Sequence, residues 1–211
     1  MPQDRGKGEG SGFAAYYSAT ADAPPRRTLL HAAAAFTRER QPFGEPIAID
    51  LGCGTGRDSL LLLEHGWRVI AVDREPEALS VLGSRAQASG LSGRLTAVEA
   101  DFSNLALSRC DLVNASFALP LCPPERFPSL WARIRAALDP AGRFAGQLYG
   151  PRDSWAGRPG ITIHDRAAID TLLACWTVEL LDEEESDGVT PRGRPKHWHV
   201  WHVVARRAGT T

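Results

Sequence analysis

Asp50-Leu51-Gly52-Cys53-Gly54-Thr55-Gly56 stands directly after the apolar run Ile47-Ala48-Ile49 and directly before a stretch with Leu60 to Leu63 that stops at Gly66. An apolar run, a glycine-rich turn and a helix, in that order, open a βαβ unit. The glycines fall as G-x-G-x-G. A dinucleotide fingerprint, G-x-G-x-x-G, would need glycine or alanine at position 57, where the chain has Arg57. Glycines without a β-carbon let a ligand approach the main chain closely, and the plain alternative is a tight strand-to-helix turn without a ligand.

Working outward, the same alternation continues. Pro24 and Pro25 precede Leu29, Leu30, Ala33 and Phe36 at helical spacing through about Arg40. After the turn, Val69 to Val72 reads as a strand ending at Asp73, Pro76 to about Ala88 as a helix, and Leu95 to Glu99 as a third strand. Asp111 to Ser116 reads as strand four. Phe127, Leu130, Trp131, Ile134 and Leu138 then mark a helix, and Arg143 to Tyr149 a fifth strand. A loop from Gly150 to Gly160, a helix from Asp165 to Cys175, and strands at Trp176 to Leu181 and His197 to Ala205 complete the chain. No helix separates the last two strands, so they are expected to pair antiparallel across a polar loop holding Glu183, Glu184 and Glu185, a charge run read as solvated. The expected fold is α/β: a Rossmann-like, doubly wound sheet of seven strands, mostly parallel, with a C-terminal antiparallel hairpin. Residues 1–12 are expected to be a disordered tail, 13–45 an N-terminal helical lid segment, and 46–207 the main domain.

The chain has 211 residues, 43% of them hydrophobic, enough for one sizeable core. Lys and Arg number 24 against 25 Asp and Glu, a formal charge of −1. That balance offers no general attraction for nucleic acid or anionic membrane and favours a small or neutral partner. No signal-like leader or membrane-length apolar run is present, which gives a cytoplasmic expectation. Cys53, Cys110, Cys122 and Cys175 are widely spaced, without a C-x-x-C pair, and read as free thiols. The oligomeric state is not legible.

The G-x-G-x-G turn, the carboxylates closing strands two and three, and the Pro140-Ala141-Gly142-Arg143-Phe144 turn resemble the class I S-adenosylmethionine (SAM)-dependent methyltransferases. In many of those enzymes a Pro-Gly-Gly turn stands at the last of these places. The resemblance implies SAM as cofactor, S-adenosylhomocysteine as product, and cofactor contacts at Asp50, Gly52, Cys53, Gly54, Gly56, Asp73, Arg74, Asp101, Phe102 and Asn114. Asp73, at the C-terminal edge beside the turn, can accept from both ribose hydroxyls, or can simply cap the next helix. Asp101-Phe102 resembles the adenine site, the carboxylate taking the exocyclic amine and the ring packing beside the purine; alone, Asp101 also suits a turn. Ala115-Ser116-Phe117-Ala118-Leu119-Pro120 and Lys196-His197-Trp198-His199 are similar to small bacterial methyltransferases of the tellurite-resistance type, which implies a small acceptor. Asn114-Ala115-Ser116-Phe117 stands where many amino-directed DNA and protein-glutamine methyltransferases carry an Asn/Asp-Pro-Pro-Tyr/Phe signature.

Candidate acceptor residues are Tyr16, Tyr17, Phe117, Tyr149, Asp153, Trp155 and His197. Tyr16 and Tyr17 suit either an aromatic lid or packing on the first helix, and Asp153 and Trp155 follow strand five at the ligand-binding edge of an open sheet. His197 and His199 share a strand face, but no third ligand is evident and no metal is expected. Methyl transfer needs an aligned acceptor lone pair more than a base, so no catalytic residue is assigned; a hydroxyl acceptor would look to His164, His197 or Tyr149. The expected function is methylation of a small molecule, with RNA or protein methylation and non-catalytic SAM binding as alternatives.

Overall fold

The computed structural model describes residues 20, 23–39 and 44–208. Tyr16, Tyr17, the 1–12 tail and most of the stretch before Ala23 lie outside the described residues. The elements run α1 (Arg27–Glu39), β1 (Ile47–Leu51), α2 (Arg57–Glu64), β2 (Arg68–Asp73), α3 (Pro76–Ala88), β3 (Leu95–Glu99) and β4 (Cys110–Ala115). They continue with α4 (Phe127–Ala137), β5 (Leu138–Tyr149), α5 (Arg166–Leu173), β6 (Trp176–Val189) and β7 (Pro195–Arg207).

The strands form one seven-stranded sheet in the order β3-β2-β1-β4-β5-β7-β6. β1 pairs in parallel with β2 and β4, β2 with β3, and β4 with β5, whereas β7 runs antiparallel to both β5 and β6. The order reverses between β2-β1 and β4, so a crevice opens at the C-terminal ends of β1 and β4, where open α/β sheets take ligands. One face is covered by α1, α2 and α3 through Leu29, Ala32, Leu60, Leu62, Leu63, Leu82 and Ala86. The other is covered by α4 and α5 through Phe127, Leu130, Trp131, Ile134, Ile169 and Leu173. With both faces covered, β4 is buried at every position from Cys110 to Ala115.

Three sequence expectations are corrected. Glu183, Glu184 and Glu185 lie within β6, opposite Trp201, Val200 and His199, not in a loop. Their charges are met across the ribbon: Glu183 accepts from His199 and Arg152, Glu184 from His202, and Glu185 from Arg152 and His197. Acidic side chains on this edge strand also discourage pairing with a further strand. Strand five, expected from Arg143, begins at Leu138, because Leu138 already pairs with Cys110 before a register shift. Gly142 sits at that irregularity, where a β-carbon would stand 2.9 Å from the Asp139 carbonyl and 3.0 Å from that of Asp111. Asp165, expected as the first residue of the helix reaching Cys175, caps α5 instead, accepting the Ala168 amide at 2.8 Å. No helix among the described residues is long and apolar enough to cross a membrane.

Candidate active site

The turn after β1 is clipped to the end of β2, since Gly52 and Cys53 both donate their amides to the Val72 carbonyl, at 2.8 and 3.1 Å. Gly52 has φ 69°, and a β-carbon there would stand 2.7 Å from the Ala118 Cβ. Gly56, at φ 86°, precedes α2, and its β-carbon would stand 2.2 Å from the Leu82 Cδ1. Both positions require glycine for backbone hand and for space. The first keeps the turn tight against the loop after β4, and the second brings α2 onto α3.

Asp73, buried at the end of β2, reaches back into this turn: its Oδ2 accepts the Gly54 amide at 2.8 Å and its Oδ1 the Glu75 amide at 3.1 Å. A carboxylate has roughly four acceptor positions, so two remain for a ligand's hydroxyls. Asp101, half exposed, accepts the Ser103 amide at 2.9 Å and an Arg126 N–H at 3.3 Å. Phe102 is partly buried against the core, its Cε1 3.8 Å from where a Gly52 β-carbon would be. Arg74 is largely exposed and pairs with Glu75 at 3.2 Å.

Beneath the turn lies a polar cluster. Asp50, only 1% exposed, accepts from the Ser59 hydroxyl at 2.6 Å and the Asn114 amide at 2.8 Å. The same Asn114 nitrogen lies 3.3 Å from Asp58, which also accepts from the Ser116 hydroxyl at 2.6 Å and from Arg57 at 3.1 Å. Burial, and then the nearby Asp58 charge, push Asp50 up to about 7. Burial likewise pushes the Cys53 thiol well up, so it stays protonated at neutral pH.

On the other side of the crevice, aromatic rings gather. Phe117, at φ 56°, is held in this strained conformation by its amide, which donates to the Gln147 Oε1 at 3.1 Å, while Gln147 donates to Thr28 of α1 at 2.9 Å. Its ring lies 5.9 Å from Trp198 and 6.3 Å from Tyr149, under the Arg26 guanidinium at 4.6 Å. Tyr149 in turn meets Trp155 at 6.1 Å and Trp198 at 6.2 Å, both edge to face. Inside these rings is the fully buried ammonium of Lys196, 4.6 Å from the Tyr149 centroid and 4.4 Å from those of Trp155 and Trp198. It is ion-paired with the equally buried Asp153. Burial lowers the Lys196 pKa, against the opposing pull of Asp153.

A family model described as a methyltransferase domain matches residues 48–142, the segment from β1 to the start of β5 that contains the glycine turn, Asp73 and Asp101. Over this segment the chain is similar to a methyltransferase domain. Over 103 residues it is 41% identical to a probable cobalt-precorrin-6B C(15)-methyltransferase (decarboxylating) of Methanothermobacter thermautotrophicus, covering 49% of this chain and 52% of that protein. The chain thus spans about half the length of this curated relative. The fold is shared over nearly the whole chain: TehB of Haemophilus influenzae superposes with a TM-score of 0.73 at 16% identity, covering 91% of this chain and 65% of that one. Magnesium protoporphyrin IX methyltransferase of Synechocystis, solved with S-adenosylhomocysteine, superposes with a TM-score of 0.69 at 16% identity, covering 94% and 95%.

Within the matched segment, Cys53 lies in the turn with its thiol partly buried and Arg74 points to solvent, and the other residues expected at the cofactor fall into two groups. Gly52, Gly54, Gly56, Asp73, Asp101 and Phe102 border the crevice, whereas the side chains of Asp50 and Asn114 are buried beneath it and bonded to each other. Of the acceptor candidates, Phe117, Tyr149 and Trp155 converge, but the Asp153 carboxylate is turned into the protein. His197 lies apart on the β6–β7 ribbon, its nitrogens 2.7 Å from Asp187 and 3.0 Å from Glu185, and these carboxylates raise its pKa. His164 packs on Phe127 at 4.5 Å, and burial pushes it down to about 4, so its imidazole is neutral. Among the described residues no group of three or more His, Cys, Asp and Glu side chains is arranged to hold a metal. Sequence reading missed Asp58 and Lys196. Asp58 stands two residues after Gly56 in the first turn of α2, a placement that could have signalled it, but nothing in the sequence marks Lys196 as buried.

Proposed function

We propose that this chain is a SAM-dependent methyltransferase acting on a small molecule. The observation that carries the reading is the placement of two unlike surfaces on either side of one crevice. On one side stand the glycine turn and the Asp73 and Asp101 carboxylates, on the other the ring cluster of Phe117, Tyr149, Trp155 and Trp198. The residues present fit SAM. Asp73 has acceptor capacity for ribose hydroxyls, Asp101 for an adenine amine, and Phe102 an apolar edge beside it. When bound, the cofactor supplies an electrophilic methyl on a sulfonium.

The protein's contribution is then to orient and to exclude water. The aromatic side offers apolar surface on which an acceptor is desolvated and aimed, and orientation of this kind accounts for much of the rate of a bimolecular step. His164 is buried against Phe127, and burial pushes its pKa down to about 4, which makes it a weak base; an acceptor that is already nucleophilic needs none.

The test is transfer of labelled methyl from SAM to fractions of a cell extract: small molecules, total RNA and total protein. The reading expects label in the small-molecule fraction, lost in Asp73→Ala. Label found only in RNA or protein would overturn the acceptor class, and none in any fraction would favour a non-catalytic SAM-binding protein.

A further inference from the structure

An aromatic box is ordinarily a receptor for a cation that arrives from outside, and this one is already occupied by the chain's own ammonium. Lys196 Nζ stands 4.4 to 4.6 Å from three ring centroids. Desolvated cation–π contacts of this kind are stronger than exposed ones. Asp153, which completes the enclosure, accepts the Trp155 amide at 2.9 Å through Oδ1 and that of His199 at 3.3 Å through Oδ2. The ion pair therefore joins three pieces of chain: the end of β5, the loop after it, and β7. The Ser154 amide donating to the His197 carbonyl at 3.0 Å fastens the same loop a second time.

The outward side of the box matters as much. Trp67, Trp131, Trp176 and Trp201 are buried, whereas Trp155 and Trp198 are only half-buried. Both rings give one part of their surface to Lys196 and leave another exposed, and Trp198 also meets Phe117. We propose that Lys196 is a positioning residue for the acceptor side of the site: its ammonium, anchored by Asp153, is an internal cation that holds Tyr149, Trp155 and Trp198 as one fixed wall. The word acceptor rests on the function proposed above; the clamping of the rings does not.

Removing Lys196 should leave a cation-shaped vacancy lined by rings and one carboxylate. Lys196→Ala lacks three carbons and the nitrogen, which propylammonium replaces atom for atom. Acrylamide quenching of tryptophan fluorescence reports mainly on Trp155 and Trp198, since the other four are buried. The variant should show increased quenching and a lower melting temperature, and propylammonium should move both back towards wild type. 1-Propanol, equal in size but uncharged, should not, and propylammonium should leave the wild type unchanged. The proposal is overturned if Lys196→Ala quenches and melts like wild type, or if 1-propanol rescues as well as propylammonium, because volume alone would then suffice.

Should Lys196→Ala fail to fold, the neutral pair Asp153→Asn with Lys196→Met carries the test, since replacing a buried ion pair by neutral groups of similar volume is commonly tolerated. Its quenching should exceed that of wild type; quenching equal to wild type would show that packing alone holds the rings and would overturn the proposal. S-adenosylhomocysteine titration of the same proteins separates this inference from the functional one. Loss of cofactor binding in wild type would defeat the latter and leave the quenching result standing.

Discussion

Asp73 accepts the Gly54 amide at 2.8 Å, so the carboxylate expected to meet the ribose also fixes the loop expected to surround the cofactor. With its other oxygen on the Glu75 amide, Asp73 ties β2, the glycine turn and the entry to α3 into one unit. Glu75, and not Asp73, stands at the N-cap of α3, so the expected capping role is replaced by a tie from the strand end to the turn.

Asp73→Ala should therefore do two things. Cofactor affinity should fall by about 1.5 to 3 kcal/mol, the range for hydrogen bonds to a charged group. Melting temperature should also fall, because the amides of Gly54 and Glu75 lose their acceptor. Calorimetry with S-adenosylhomocysteine on the folded variant checks the first; an unchanged dissociation constant beside a lowered melting temperature would reduce Asp73 to a structural role.

Gly56→Ala should destabilise the fold by roughly 2 to 5 kcal/mol, the left-handed backbone costing about 1 to 2 and overpacking against Leu82 about 1 to 3. Leu82 is fully buried, so its side chain cannot swing to solvent. Adding Leu82→Ala should recover the overpacking part and not the backbone part. If the double variant is less stable than wild type by the full sum of the two single effects, the clash with Leu82 is not the cause.

The Asp50 carboxyl gives the chain a pH signature. Its pKa is raised from an ordinary carboxylate value to about 7, chiefly by burial and next by Asp58, so the folded state holds its proton more tightly than the unfolded chain does. Stability from this group is full below about pH 4, declines as pH rises towards 7, and is gone above it, on the order of 4 kcal/mol at most. Asp50→Asn, always neutral, should flatten that part of the stability curve. Urea melts between pH 4 and 8 check it; a wild-type slope retained in the variant would assign the effect elsewhere.

Trp155→Ala should raise the acceptor's KM or lower its kcat/KM while SAM affinity stays within about twofold, roughly 0.4 kcal/mol. The ring lies on Lys196 and not at the glycine turn, so the two ligands should respond separately. A parallel loss of SAM affinity would show that the loop also shapes the cofactor side.

The fold was legible because its units are local. Glycines at 52, 54 and 56 follow an apolar run, and Pro76–Ala88 and Leu95–Glu99 have the bounds their residue patterns imply. The β6–β7 ribbon was only half legible, since Glu183 to Glu185 look like loop until Arg152, His199 and His202 are brought to them by pairing. Asp50 and Asn114, expected from sequence at the cofactor, are buried and bonded to each other, a pairing of β1 with β4 that no local pattern announces. Lys196 was not readable, because a lysine in sequence carries no sign that Asp153, some forty residues earlier, will neutralise it. Long-range charge pairing is a property of the closed sheet.

Isothermal titration of the folded chain with S-adenosylhomocysteine probes the glycine turn and Asp73 together. Saturable binding at one site per chain is expected, weakened in Asp73→Ala and retained in Trp155→Ala. Absence of both heat and thermal shift with a correctly folded protein would contradict the proposed SAM site.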